Sequence, residues 1–168
     1  ERNANSGLVV ALDADDLAPF ERFPGDPLAG IALQRELEER AFRLGGHSYA
    51  APAQRLEDFL AARPSTRLGA IAASYQPGVH PADLAELLPT PITSALREAL
   101  PAFARKLKGY DHPDAVLTGV ETRTSSPVRV PRDEALESLN VQGLVPAGEG
   151  AGYAGGILSA GIDGIRAA

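Results

Sequence analysis

The stretch Gly148-Glu-Gly-Ala-Gly-Tyr-Ala-Gly-Gly156 sets one acid, Glu149, among glycines, directly ahead of small and apolar residues running to Ala167. An apolar strand is expected over Val141 to Ala147 and a helix over Gly155 to Ala167. A strand, a glycine turn and a small-residue helix build a bare helix N-terminus. Its free N–H groups and positive dipole end can hold an anionic or electron-rich group. An acid between that strand and helix is costly unless something polar stands opposite, such as sugar or ribityl hydroxyls.

Gly150-Ala-Gly152-Tyr-Ala-Gly155 also matches the pattern G-x-G-x-x-G of dinucleotide sites. That site needs a second strand after the helix and an acid about 20 residues on to hold the ribose. Neither is found in the residues from Gly155 to Ala168, so a complete dinucleotide-binding βαβ unit is not expected here. The competing reading is a glycine-rich turn whose Gly155, Gly156, Ser159, Ala160, Gly161 and Gly164 serve only close helix–sheet packing.

A second polar group is Glu121-Thr-Arg-Thr-Ser-Ser-Pro127, between two strand-like pieces. On one reading Glu121, Arg123, Thr124 and Ser125 line a substrate loop, where Arg123 would orient an anion. On the other they form a solvated turn stopped by Pro127. Tyr75 and Tyr153 are weaker candidates, and Asp111-His112-Pro113 reads as a hinge between the two parts in preference to an acid–base pair. No nucleophile–base–acid arrangement can be assembled from the chain.

Composition narrows the classes. The 168 residues suit one domain or slightly more, with a formal net charge of −6 that argues against a nucleic-acid or anionic-membrane partner. No apolar run approaches the roughly 20 residues of a bilayer span, and no signal peptide pattern is evident, so a cytoplasmic location is expected. Cysteine is absent, which removes thiol catalysis and thiolate metal sites. His47, His80 and His112 stand far apart without a second ligand at helical spacing, so no metal site is expected. With Glu1 at its start and no methionine, the sequence is expected to be a piece of a longer protein.

These groups must be positioned by a mixed α and β scaffold. Gly7 to Asp13 reads as a buried strand, and Asp26-Pro27 starts a helix over Leu28 to Leu44 that Gly45-Gly46 stops. A shorter helix is expected over Pro52 to Ala62, an extended piece from Arg67 to Tyr75, and a short helix at Pro81 to Leu88. Thr90-Pro91 opens a long helix through Leu107, with Gly109 as its C-cap. Ala115 to Val120 and Val128 to Val130 read as strands, and Leu136 to Leu139 as a turn or loop.

The segment from Gly143 to Ile157, continued by Ser159-Ala-Gly-Ile-Asp-Gly164, resembles the C-terminal flavin-binding segment of FAD-dependent oxidoreductases. More narrowly, it is similar to the bacterial group usually labelled uncharacterised FAD-dependent dehydrogenases. Gly119 to Arg129 and the opening Asn3-Ala-Asn-Ser6 carry the same likeness.

The resemblance implies an α+β fold in two parts. Residues 1–112 would form an inserted cap or substrate domain. Residues 113–168 would form the C-terminal strand–helix closing segment of an FAD-binding Rossmann-like domain that lacks its N-terminal G-x-G-x-x-G unit. Gly148, Glu149 and Gly150 would contact the ribityl–pyrophosphate region of FAD. Gly155, Gly156 and Ile157 would supply helix-start amides near the flavin carbonyl. The implied function is a share of flavin-dependent oxidoreductase chemistry on a small-molecule substrate. The implied partner is the missing N-terminal part of the same protein, and the apolar strands of residues 113–168 would seek sheet neighbours. The alternative is a non-enzymatic mixed α/β binding domain whose glycine cluster only packs.

Overall fold

The computed structural model describes residues 3–168. In chain order its elements are α1 (Ala14–Leu17), a 3-10 turn (Ala18–Phe20), α2 (Ala29–Leu44), β1 (Ala51–Arg55), α3 (Leu56–Leu60), β2 (Val79–Pro81), α4 (Thr90–Ala104), β3 (Val116–Thr118) and α5 (Ile157–Ala167). The fold class is α+β, in agreement with the sequence reading. The chain packs as two units. One holds the residues up to Leu12 together with Glu36–Val120, the other Asp13–Arg35 together with Glu121–Ala168.

The first unit is built on a three-stranded sheet of order β2-β1-β3, parallel between β1 and β2 and antiparallel between β1 and β3. The expected helix from Pro52 is instead β1 followed by the five-residue α3. Proline is tolerated in this central strand because pairing with β3 begins one residue later, at Ala53 and Thr118. Pro52 still contributes its carbonyl, which accepts from the Gly119 N–H at 2.9 Å. The helical pattern Leu56, Phe59, Leu60 is confined to α3, which starts where the ladder stops.

Leu56, Phe59, Leu84, Leu87 and Leu100 form the core of this unit, and Leu8, Ala41, Leu44, Leu96, Leu117 and Val120 pack on it. Two buried polar side chains hold the loops beside it. Gln54 donates to the Arg63 carbonyl (2.8 Å) and accepts from the Leu84 N–H (2.9 Å). Burial pushes the Asp58 carboxyl up, but the Ser65 hydroxyl and the Arg63 guanidinium outweigh it and hold it below the usual carboxylate range. Arg97 closes the cluster by donating to the Phe59 carbonyl while lying 4.8 Å from the Phe59 ring centroid.

Four further expectations for this unit need correction. Gly7 to Asp13 forms no strand, since no neighbour supplies it with a ladder; Val9 is exposed, and Asp13 caps α1. Arg67 to Tyr75 forms bends and no strand. Pro81 to Leu88 shortens to a single turn closed by Leu88 N–H on the Leu84 carbonyl. The long helix ends at Ala104, soon after Pro101, whose missing N–H removes a rung. The helix of residues 28–44 and the strand of residues 115–120 are found within a few residues of their expected bounds, as α2 and β3.

In the second unit Asp26 organises the approach to α2. Its carboxylate accepts from the Leu28 N–H (3.0 Å) and from Arg22 (2.6 Å). The Arg22 hydrogen bond, then that of Leu28, holds this acid far below the carboxylate range. Val128–Val130 and Val141–Ala147 are not strands. The second piece is broken by a turn in which Leu144 N–H bonds the Val141 carbonyl, by the left-handed Gly143 (φ 76°), and by Pro146, which offers no donor. The final helix is present as α5.

Phe59 is fully buried at the centre of the first unit. Phe59→Ala should lower the unfolding free energy by about 3–5 kcal/mol, read from the midpoint and slope of a urea denaturation curve.

Candidate functional site

The glycine turn and α5 lie within the second unit, and both are held by one ion pair the sequence reading did not single out. Arg132, on the loop before the turn, donates to both oxygens of Asp163 in α5 at 2.6 and 3.0 Å. The same guanidinium donates to the Pro146 carbonyl at 2.6 Å, and Asp163 also accepts the Gly148 N–H at 2.7 Å. Both side chains are nearly buried. Asp163 thus joins the helix to the first residue of the turn, and Arg132 joins it to the chain leading in. The Arg132 hydrogen bond, followed by that of Gly148, holds the Asp163 carboxyl at about 2.

Tyr153 completes the clamp. Its ring lies 3.7 Å from the Arg132 guanidinium carbon and 4.4 Å from that of Arg129. Its hydroxyl donates to the Val130 carbonyl and accepts the Arg132 N–H. Tyr153 is therefore a packing residue of the turn.

The glycines of the cluster divide by cause. Gly152 is left-handed (φ 82°), and a Cβ there would stand 2.6 Å from the Val128 carbonyl oxygen, so fold alone requires it. Gly148 is also left-handed (φ 68°). Gly150 and Gly155 differ: apart from their own chain neighbours, no described atom lies within 4 Å of where their Cβ would be. Packing does not explain them, and their backbone is open to close approach.

Past the turn, α5 begins at Ile157 with Gly156 as its N-cap, and no side chain caps it. The Ser159 hydroxyl bonds the Gly156 carbonyl and not the leading amides. The amides of Ile157, Leu158 and Ser159 therefore meet no capping side chain, at the positive end of an eleven-residue helix. The Glu149 carboxylate, one residue after the clamped Gly148, makes no hydrogen bond or ion pair with another described residue.

Within residues 121–127, Ser126 reaches the glycine turn. The Thr122 carbonyl accepts from Gln34, and the Ser126 hydroxyl contacts both the Val128 carbonyl and the Gly150 carbonyl at 3.2 Å. Glu121, Arg123, Thr124 and Ser125 are exposed on this loop. Arg132, Asp163 and Ser126 escaped the sequence reading. The available signal was an aspartate inside an otherwise small and apolar helix.

Among the described residues, no three His, Asp or Glu side chains gather as metal ligands, and no helix is long and apolar enough to cross a membrane.

The Asp163 clamp has a testable pH signature. Its folded carboxyl ionises at about 2 against an ordinary 3.8, so its contribution is complete above about pH 4 and lost as pH falls through about 2. The difference in unfolding free energy between the wild type and Asp163→Asn should be constant above about pH 4 and narrow between pH 4 and 2. Denaturation curves at stepped pH measure it; a difference that stays unchanged to pH 2 would show the pair is not linked to folding.

Comparison with known proteins places the chain in a family. Residues 1–124 match the family described as FAD-dependent protein, C-terminal domain-like. An uncharacterized protein of Clostridium beijerinckii is 50% identical over 167 residues, which is 99% of this chain and 30% of that relative. The chain thus spans less than a third of the relative's length. It belongs to the family of FAD-dependent protein C-terminal domains.

Proposed function

We propose that this chain is part of an FAD-dependent oxidoreductase of the dehydrogenase type, to which it contributes the flavin-facing turn and helix end. In this reading residues 113–168 close the FAD-binding domain and residues 1–112 form the substrate-side cap. Family membership supports the flavin. The observation that carries the site is the pairing of an uncapped α5 N-terminus with two open glycines and an unengaged Glu149.

These residues fit the cofactor. FAD offers ribityl hydroxyls and a pyrophosphate to hydrogen-bonding groups, and its ring accepts hydride when bound. Glu149 is an acceptor suited to ribityl hydroxyls, with Gly148 fixing where that acceptor stands. Gly150 and Gly155 let the ligand approach the backbone. The amides that open α5, at Gly156, Ile157 and Leu158, favour negative charge placed against them. Glu121, Arg123, Thr124 and Ser125 are the substrate-side candidates. Arg123 is the group suited to a carboxylate or phosphate on the substrate.

The alternative, a turn that only packs, accounts for Gly148 and Gly152 but not for Gly150 and Gly155. That contrast supplies the test. In the full-length polypeptide, Gly155→Val should weaken FAD retention by about tenfold or more, while the melting temperature of the FAD-free form stays within error. Glu149→Ala should act in the same direction. Flavin absorbance after dialysis and thermal denaturation read the two arms. A full-length protein that folds but takes up no flavin would sink the reading, and unchanged retention in both variants would remove this turn from the site.

A further inference from the structure

Helix α5 has two unlike faces. Ala160 and Asp163 look toward the turn, where Gly148 meets Ala160 and bonds Asp163. The opposite face carries Ile157, Leu158, Ile162 and Ile165, exposed to 92, 82, 52 and 80%. At 100° per residue these four and Gly161 fall on one continuous stripe. The stripe contains no charged side chain.

The glycines sharpen this. Gly161 and Gly164 lie inside the helix, where glycine costs stability relative to alanine, yet no described atom approaches the place of their Cβ. Nothing among the described residues accounts for them. Bulky aliphatics flanking bare backbone form a surface shaped for close approach by another apolar element. Apolar patches of this kind on soluble proteins mark interfaces.

We propose that this face of α5 is the docking surface for the remaining part of the same polypeptide, through an uncharged aliphatic surface of that part. The occupant is argued from length. The relative that matches 99% of this chain has the other 70% of its residues outside the match, and the family is that of a C-terminal domain. A covalently attached partner is present at high effective concentration, which a second copy is not. The inference rests on the reading of these residues as part of a longer polypeptide and does not depend on FAD.

The absence of cysteine from these residues permits a site-by-site test in the full-length polypeptide. Leu158→Cys and Ile162→Cys are made singly, with Arg166→Cys, on the exposed polar side of the helix, as control. Each is pulsed with a maleimide, and the α5 peptide is read by mass spectrometry. Positions 158 and 162 should label at least about tenfold more slowly than 166, because reaction there requires local opening. Hydrogen exchange of the unsubstituted full-length protein should show slowed α5 amides, guarding against any disturbance by the substitutions. Equal labelling at all three positions would overturn the proposal. Protection that depends on protein concentration, with a dimer by light scattering, would overturn it in favour of a second copy. FAD content, measured on the same samples, fails or holds independently and so separates this inference from the flavin reading.

Discussion

The Arg132–Asp163 pair is the constraint on which the second unit depends. Through this long stretch without a strand, backbone groups cannot be satisfied by a ladder, so side chains must hold the loops in place. One guanidinium reaches the helix acid and the Pro146 carbonyl, and the acid reaches the Gly148 amide. A planar fork suits this work, since it donates in several fixed directions at once. Tyr153, lying on that guanidinium with its hydroxyl bonded to the backbone, removes the remaining freedom of the turn.

That rigidity gives the glycine cluster a division of labour. Gly148 and Gly152 adopt left-handed conformations, and Gly152 must also pass within van der Waals reach of residues 128 and 129. Gly150 and Gly155 are left bare on a frame that others have fixed. A turn arranged in this way offers backbone groups without side chains in front of them and without having to reorganise. Preorganised amides at a helix start hold an anion more strongly than flexible ones, because no ordering cost falls on the binding step.

The helices were the legible part of the sequence. The lines Ile31, Leu33, Leu37, Ala41, Leu44 and Leu96, Leu100, Phe103 repeat at helical spacing, so α2 and α4 could be read directly. The strands could not. β1 is Ala-Pro-Ala-Gln-Arg and β2 is Val-His-Pro, and neither has the alternating branched residues that mark a strand. Their strand character comes from distant partners. The reverse error follows from the same cause: Leu8 to Leu12 and Val141 to Ala147 have strand composition but no neighbour to pair with. In the site, the acid among glycines and the helix behind it were visible as a motif. The Arg132–Asp163 link was not, because its partners are 31 positions apart and no periodicity connects them.

Helix α5 carries an anchor to the glycine turn on one side and an uncovered aliphatic stripe on the other. A short helix is stiff about its own axis, so a shift imposed on one side is delivered to the other through Asp163. Asp163 ties this helix to a turn already held in one conformation, so a contact that fixes the helix from its aliphatic side also fixes where the bare backbone of Gly150 and Gly155 stands.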